Sequence, residues 1–299
     1  MKTFAGVVTT NRSASAPFCK GGGGDHDEKM IKNHLLITIS LAVYQQLKFL
    51  FIRFKSIIMN TEQTLEQMKS LKLKGMADSY ETQLGLPVNH QLEGHELITH
   101  LVQAEKLQRS NDRMDSLLKG AKLRYAATPE TVTCSNERNL SKSTWNMLLE
   151  GRYLEEGTNI LITGECGTGK SWLACALGYQ ACMMGIKTRY FNMHRLAETI
   201  LMAKAGGTYV KFLNQIEKVP LIVLDDFGLQ ALPKYTKLAL LEIMEERYAR
   251  KSIIVTAQLP VSAWHKYLDE PALADALCDR LTARSHRLEL KGPSLRRKK

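Results

Sequence analysis

The chain has 299 residues, 44% of them apolar, and a formal net charge of +11. That length holds one large domain or two smaller ones with a sizeable core, and the basic excess invites an anionic partner, most directly nucleic acid, without deciding the fold. Six cysteines with no C-x-x-C spacing argue against zinc and suit reduced thiols in the cytosol.

Residues 1–58 stand apart. They contain the run Gly21 to Gly24, an apolar stretch from Leu35 to Val43 and a second from Leu47 to Lys55. Neither stretch reaches the roughly 18 residues needed to cross a bilayer, and Lys48, Arg53 and Lys55 interrupt the second. The first apolar run starts too late for a secretory signal. Eight Lys and Arg against three acids place nearly half of the net charge here. Met59 is therefore the expected working start, with 1–58 an extension outside the native fold; a weak membrane-surface anchor is the alternative.

From Met59 the text turns helical. Thr64-Leu65-Glu66-Gln67 has the form of a capping box, and Leu65, Met68, Leu71, Met76, Ala77, Tyr80 and Leu84 follow at helical spacing up to Gly85-Leu86-Pro87. A longer helix is predicted from His95 to Ala121, with Leu97, Leu101, Ala104, Leu107, Met114 and Leu118 on one face. Lys106, Arg109, Arg113, Lys119, Lys122 and Arg124 decorate the rest. Residues 59–125 thus read as a small all-helical domain that docks on a partner or on DNA phosphates. An ordinary solvated face is the competing reading, because Glu105, Asp112 and Asp115 are interleaved. The polar stretch 126–142 reads as a linker and 143–299 as a second, larger domain, the nucleotide domain on the motif described next, entered through a short helix from Ser143 to Glu150.

The centre of that domain is Gly164-Glu165-Cys166-Gly167-Thr168-Gly169-Lys170-Ser171, between the apolar run Asn159–Thr163 and a helix-patterned stretch. Strand, loop and helix are the context in which G-x-x-x-x-G-K-[ST] binds phosphate. Glycines allow successive main-chain N–H groups to point inward, and the helix N-terminus adds about half a positive charge. Lys170 is expected to reach the β- and γ-phosphates of ATP, and Ser171 to ligate Mg2+. Cys166 reads as filler, since no resolving thiol is near it in sequence.

Thr188 to Phe191 forms the next strand and His194 to Ala205 the next helix; His194 is assigned no chemistry. Leu221-Ile222-Val223-Leu224-Asp225-Asp226 is a buried strand ending in two carboxylates. Beside a phosphate loop, Asp225 suits Mg2+ through its water shell and Asp226 suits the general base that orients and polarises the attacking water. A helix from Tyr235 to Arg250 and a strand from Ser252 to Thr256 follow. Gln258, just past that strand, is the candidate contact to the γ-phosphate or water, Thr256 being as easily a buried strand residue. A final strand runs from His286 to Leu290. The whole predicts an α/β fold, a three-layer parallel sheet joined by right-handed crossovers.

Residues 164–174, Leu224-Asp225-Asp226-Phe227-Gly228-Leu229, Val255 through His265, Asp279-Arg280-Leu281 and Leu290 through Arg296 together resemble IstB, the AAA+ ATPase helper of insertion-sequence transposition, over essentially all of 59–299. The helicase loader DnaC is a relative with the same domain plan. The resemblance implies a P-loop (AAA+) domain that works as a homo-oligomer, with Arg280 completing a neighbour's ATP site and Arg296 a second phosphate-sensing arginine. It puts the strand-end sensor at Gln258, where asparagine is more usual. Asp226 stands where many relatives carry glutamate, one methylene further from water, which implies slow turnover. The implied job is to bind double-stranded DNA as an ATP-loaded multimer and to recruit and stimulate a cognate transposase. A helicase-loader ATPase, or a nucleotide-gated DNA-binding module with negligible hydrolysis, are the alternatives; neither needs a membrane.

Overall fold

The computed structural model describes residues 39–51 and 61–295. It divides into two compact units at Leu92/Glu93. Of the doubtful segment 1–58 only the exposed helical stretch 39–51 is described, and among the described residues no helix is long and apolar enough to cross a membrane.

In the first unit, residues 61–70 are helical, and a second helix, α1, spans Lys74–Leu84. The single helix expected through Leu84 is therefore broken. Lys72 adopts φ 60, its N–H bonds Lys69 O at 3.0 Å and the Leu73 N–H bonds Met68 O at 2.9 Å, the two closures of a Schellman motif. Apolar spacing runs straight across such a break, so periodicity does not reveal it.

The second unit begins with α2 (Gly94–Ala121). The compact division at residue 92 falls between the two helices of the expected front end. The C-terminal part of α2 packs on the unit's own sheet: Gly120 O accepts from Arg189 Nη1 at 2.8 Å. Leu107, expected on the inner face, is exposed. Residues 126–142 are packed rather than slack. Two 3-10 turns, Pro129–Thr131 and Asn136–Arg138, and a Ser135–Leu140 bridge order them, and Ala127 and Leu140 are fully buried. Their Ser and Thr side chains bond local main chain, so polar composition here encodes turns.

Five strands form one parallel sheet: β1 (Asn159–Gly164), β2 (Thr188–Asn192), β3 (Leu221–Phe227), β4 (Ser252–Ala257) and β5 (Ser285–Leu290), in spatial order β2-β3-β4-β1-β5. Helices α3 (Lys142–Leu149) and α4 (Arg152–Glu155) lead in. Then α5 (Lys170–Met183) follows β1, α6 (Met193–Ala205) and α7 (Tyr209–Glu217) follow β2, and α8 (Lys234–Arg247) follows β3. Helices α9 (Trp264–Leu268) and α10 (Pro271–Thr282) connect β4 to β5. Of these, α4, α7, α9 and α10 carry no expectation above.

Alternation along the strands builds the three layers. Ile160, Ile162, Leu221, Val223 and Ile254 pack with Leu173, Ala176 and Leu177 of α5 on one face. Leu161, Ile222, Leu224, Ile253 and Val255 pack with Leu196, Leu240 and Leu277 on the other. The strand ends that matter for chemistry, Gly164, Asn192, Asp225 and Ala257, gather at the C-terminal edge of this sheet, where β1 and β3 flank β4.

Candidate nucleotide site

The loop between β1 and α5 turns on glycine. Gly167 and Gly169 adopt φ 88 and φ 89, conformations closed to most side chains. A Cβ on Gly167 would lie 2.1 Å from Ser294 Oγ, and one on Gly169 would lie 3.0 Å from Arg138 Nη2. The loop is strapped from outside as well: Arg138 Nη2 donates to Thr168 O at 2.8 Å and Leu295 N–H to Gly167 O at 3.0 Å. Thr168, itself buried, donates to Glu165 O at 2.9 Å. Lys170 Nζ donates to Gly164 O at 2.8 Å and Glu165 O at 2.7 Å, so its ammonium is held over the loop by weak neutral acceptors that an anion outcompetes. The Glu165 and Cys166 side chains are exposed at the tip.

Beside the loop lies a carboxylate corner. A regular strand sends successive side chains to opposite faces. At the end of β3, however, the register with β4 shifts between Leu224 and Phe227, and Asp226 adopts φ 64. This irregularity re-aims Asp226 so that both carboxylates meet one group: Arg124 Nη1 lies 3.4 Å from Asp225 Oδ2 and 3.1 Å from Asp226 Oδ2. Asp225 is fully buried and saturated with donors. Ser171 Oγ donates to its Oδ1 at 2.7 Å, Thr256 Oγ1 also donates to Oδ1, and Tyr190 OH donates to Oδ2 at 2.5 Å. Thr256 Oγ1 in turn accepts the Asp226 N–H at 3.1 Å, and Asn192 Nδ2 donates to Asp226 Oδ2 at 2.9 Å.

Burial, reinforced by the Asp225 contact, raises the Tyr190 phenol, so it stays a donor. Burial works against the Arg124 charge, but the contacts with Tyr190 and Asp225 outweigh it and its pKa is raised. Ser171 Oγ, Asp225 and Asp226 make an all-oxygen donor set of the kind a hard cation takes, and no group of three or more metal-competent His, Cys, Asp or Glu occurs among the described residues.

Loop and corner face a cavity of about 340 Å³. Gly167, Lys170, Ser171 and Asp226 line one part; Tyr125 and Trp172, with ring centroids 5.7 Å apart, line another. Trp172 Nε1 donates to Thr131 Oγ1 at 3.1 Å, fixing the indole. Gln258 lines the same cavity, whereas Thr256 lies beneath it in the Asp225 network. Arg280 is elsewhere, on α10, donating to Ala276 O at 3.0 Å and paired with Glu245. Arg296 lies outside the described residues.

Sequence reasoning passed over Arg124, Arg138, Tyr190 and Asn192 as site residues. The signal for Asn192 is its pairing with Asp225 across β2 and β3, visible only once strand order is known.

A second, larger cavity of about 1070 Å³ runs along edge strand β2. Lys122, Arg124, Lys187, Arg189, Arg195 and Lys218 line it, and none of its lining residues is Asp or Glu. Arg124, Tyr190 and Asn192 line this groove and bond the aspartates of the carboxylate corner, of which Asp226 lines the smaller cavity.

Residues 66–299 match the family described as IstB-like ATP binding protein. A putative insertion sequence ATP-binding protein of Sinorhizobium fredii is 38% identical over 234 residues, 78% of this chain and 96% of its own length. The putative ATP-binding protein of insertion sequence IS1162 from Pseudomonas fluorescens is 38% identical over 68% of this chain and 89% of its length. The crystal structure of the DnaC helicase loader, 23% identical, aligns with 57% of this chain and all of its own at a TM-score of 0.50, a likeness of fold. The chain belongs to the IstB-like ATP-binding family of P-loop ATPases.

Proposed function

We propose that this chain is the ATP-dependent helper of an insertion-sequence transposase, working in the cytoplasm. It assembles as a homo-oligomer on double-stranded DNA and there recruits and stimulates the separate transposase. The observation that carries the reading is the match, over 96% of its length, to a relative named for an insertion sequence and ATP binding. The basic groove along β2 supports DNA as the anionic partner, since six cations without a lining acid suit a phosphate backbone.

Within the site, the main-chain amides from Gly164 to Gly169 cradle the phosphates, and Lys170 exchanges its loop carbonyls for phosphate oxygens. The Tyr125–Trp172 end of the cavity receives the nucleobase. Ser171 and Asp225 hold Mg2+, which neutralises charge on the β- and γ-phosphates. Asp226 orients the attacking water and takes its proton, with Gln258 a polar contact on the far side. Arg280, and Arg296 in the tail, serve as the phosphate-directed arginines, Arg280 reaching a neighbouring subunit's site after leaving Glu245.

ATP turnover by the full chain, with and without duplex DNA, tests this. Mg2+-dependent hydrolysis that changes with duplex, together with nucleotide-dependent assembly on DNA that weakens steeply with salt, is the expected result. Turnover indifferent to duplex and no retention on DNA at low salt would overturn it.

A further inference from the structure

Arg124 joins the basic groove to the carboxylate corner. Arg124 is half-exposed, its side chain 42% accessible. Both of its carboxylate bonds come from one nitrogen, Nη1, at 3.1 and 3.4 Å, longer than a tight bidentate pair. A guanidinium carries five N–H donors in a fixed fork, so it has donors to offer a second anion. It also lines the groove beside Lys122 and Arg189, where phosphates are the expected guests.

The segment bearing Arg124 is placed with care. Lys122 adopts φ 54 at the end of α2, and Arg189 holds Gly120 O. Leu123 packs so closely over α5 that a Cβ on Gly178 would lie 2.9 Å from its Cδ2. Its position is thus fixed on the sheet and helix that also carry Tyr190 and Ser171, with the guanidinium between the aspartates of the corner and the groove.

We propose that Arg124 is a positioning residue shared between the carboxylate corner and the basic groove, and that DNA backbone phosphate in the groove draws its guanidinium away from Asp226. Without DNA, Arg124 and Asn192 both hold Asp226 Oδ2, engaging the base with two donors. With phosphate in the groove, Arg124 swings to it and Asp226 is released toward water. Asp225 keeps Ser171, Thr256 and Tyr190, so its cation-holding role persists. The effect falls on turnover, not on ATP affinity.

This rests on the reading of the chain as a DNA-binding ATPase, and the test separates the two. With the full chain and a 30-base-pair duplex as probe, the wild type should gain about tenfold in kcat with KM for ATP within about twofold. Arg124→Gln should lose that response, its kcat changing less than about twofold on adding duplex. Its duplex affinity should fall only severalfold, as one of six cations is removed. Arg124→Lys should recover part of the response. Independently of turnover and of any variant, duplex added to the wild type with Mg2+ and a non-hydrolysable ATP analogue should change amide hydrogen exchange at residues 122–125. Full stimulation in Arg124→Gln, or unaltered exchange at 122–125 while duplex is bound, overturns the inference. A wild type that does not bind duplex overturns the functional reading instead.

Discussion

The phosphate loop is made of eight consecutive residues whose course is set by glycines at positive φ, with the exposed side chains of Glu165 and Cys166 at its tip and the Lys170 ammonium over its carbonyls. The carboxylate corner across the cavity is assembled from residues as distant as Arg124 and Thr256 and works through side chains, every one of them bonded to another. The loop is therefore indifferent to most of its side chains and intolerant of altered conformation. The corner is the reverse. On the proposed function, binding belongs to the first and hydrolysis to the second, a division that substitutions can break.

The largest effect is expected from Asp226→Asn. Removing the base should lower steady-state turnover about 1,000-fold, with ATP still bound and assembly on DNA trapped. Equal loss of affinity and turnover would erase the division. Lys170→Ala should act on the other side, weakening ATP binding roughly 100-fold by equilibrium dialysis through loss of charge-assisted bonds. Unaltered affinity would remove the lysine from the grip.

Thr256→Val probes the scaffold of the corner. It takes one donor from Asp225 Oδ1 and one acceptor from the Asp226 N–H in a fully buried place, and should cost about 2 kcal/mol in denaturant unfolding. A cost near zero would mean that the network does not need its threonine. Cys166→Ser, an exposed side chain in a main-chain device, should leave ATP affinity within about twofold; a larger change would show that the loop does use this side chain.

The same contrast explains what could be read in advance. The loop was legible because its chemistry is contiguous, and Asp225-Asp226 because an apolar strand ends in them. Strands β1 to β5 followed from apolar runs separated by helical stretches, whereas their spatial order came only with the structure. Arg124 was indistinguishable from the other cations around α2, and Tyr190 and Asn192 from ordinary residues of an edge strand, because their meaning comes from β2 lying next to β3. Thr256 was weighed as a buried strand residue; it is that, and its hydroxyl also bridges the two aspartates. The segment 126–142 misled through its polarity, which serves tight turns around Arg138 and the rim of the cavity rather than a free linker. The break at Lys72 left no mark, since a lysine occupies the left-handed position where glycine is customary.

The central claim is that amides, an ammonium and a cation-holding corner together grip a triphosphate, and calorimetric titration of the full chain with ATP tests it most directly. The account predicts one site per chain, saturable with millimolar Mg2+ and greatly weakened by EDTA. No heat and no retained nucleotide from folded protein at millimolar ATP and Mg2+ would contradict it.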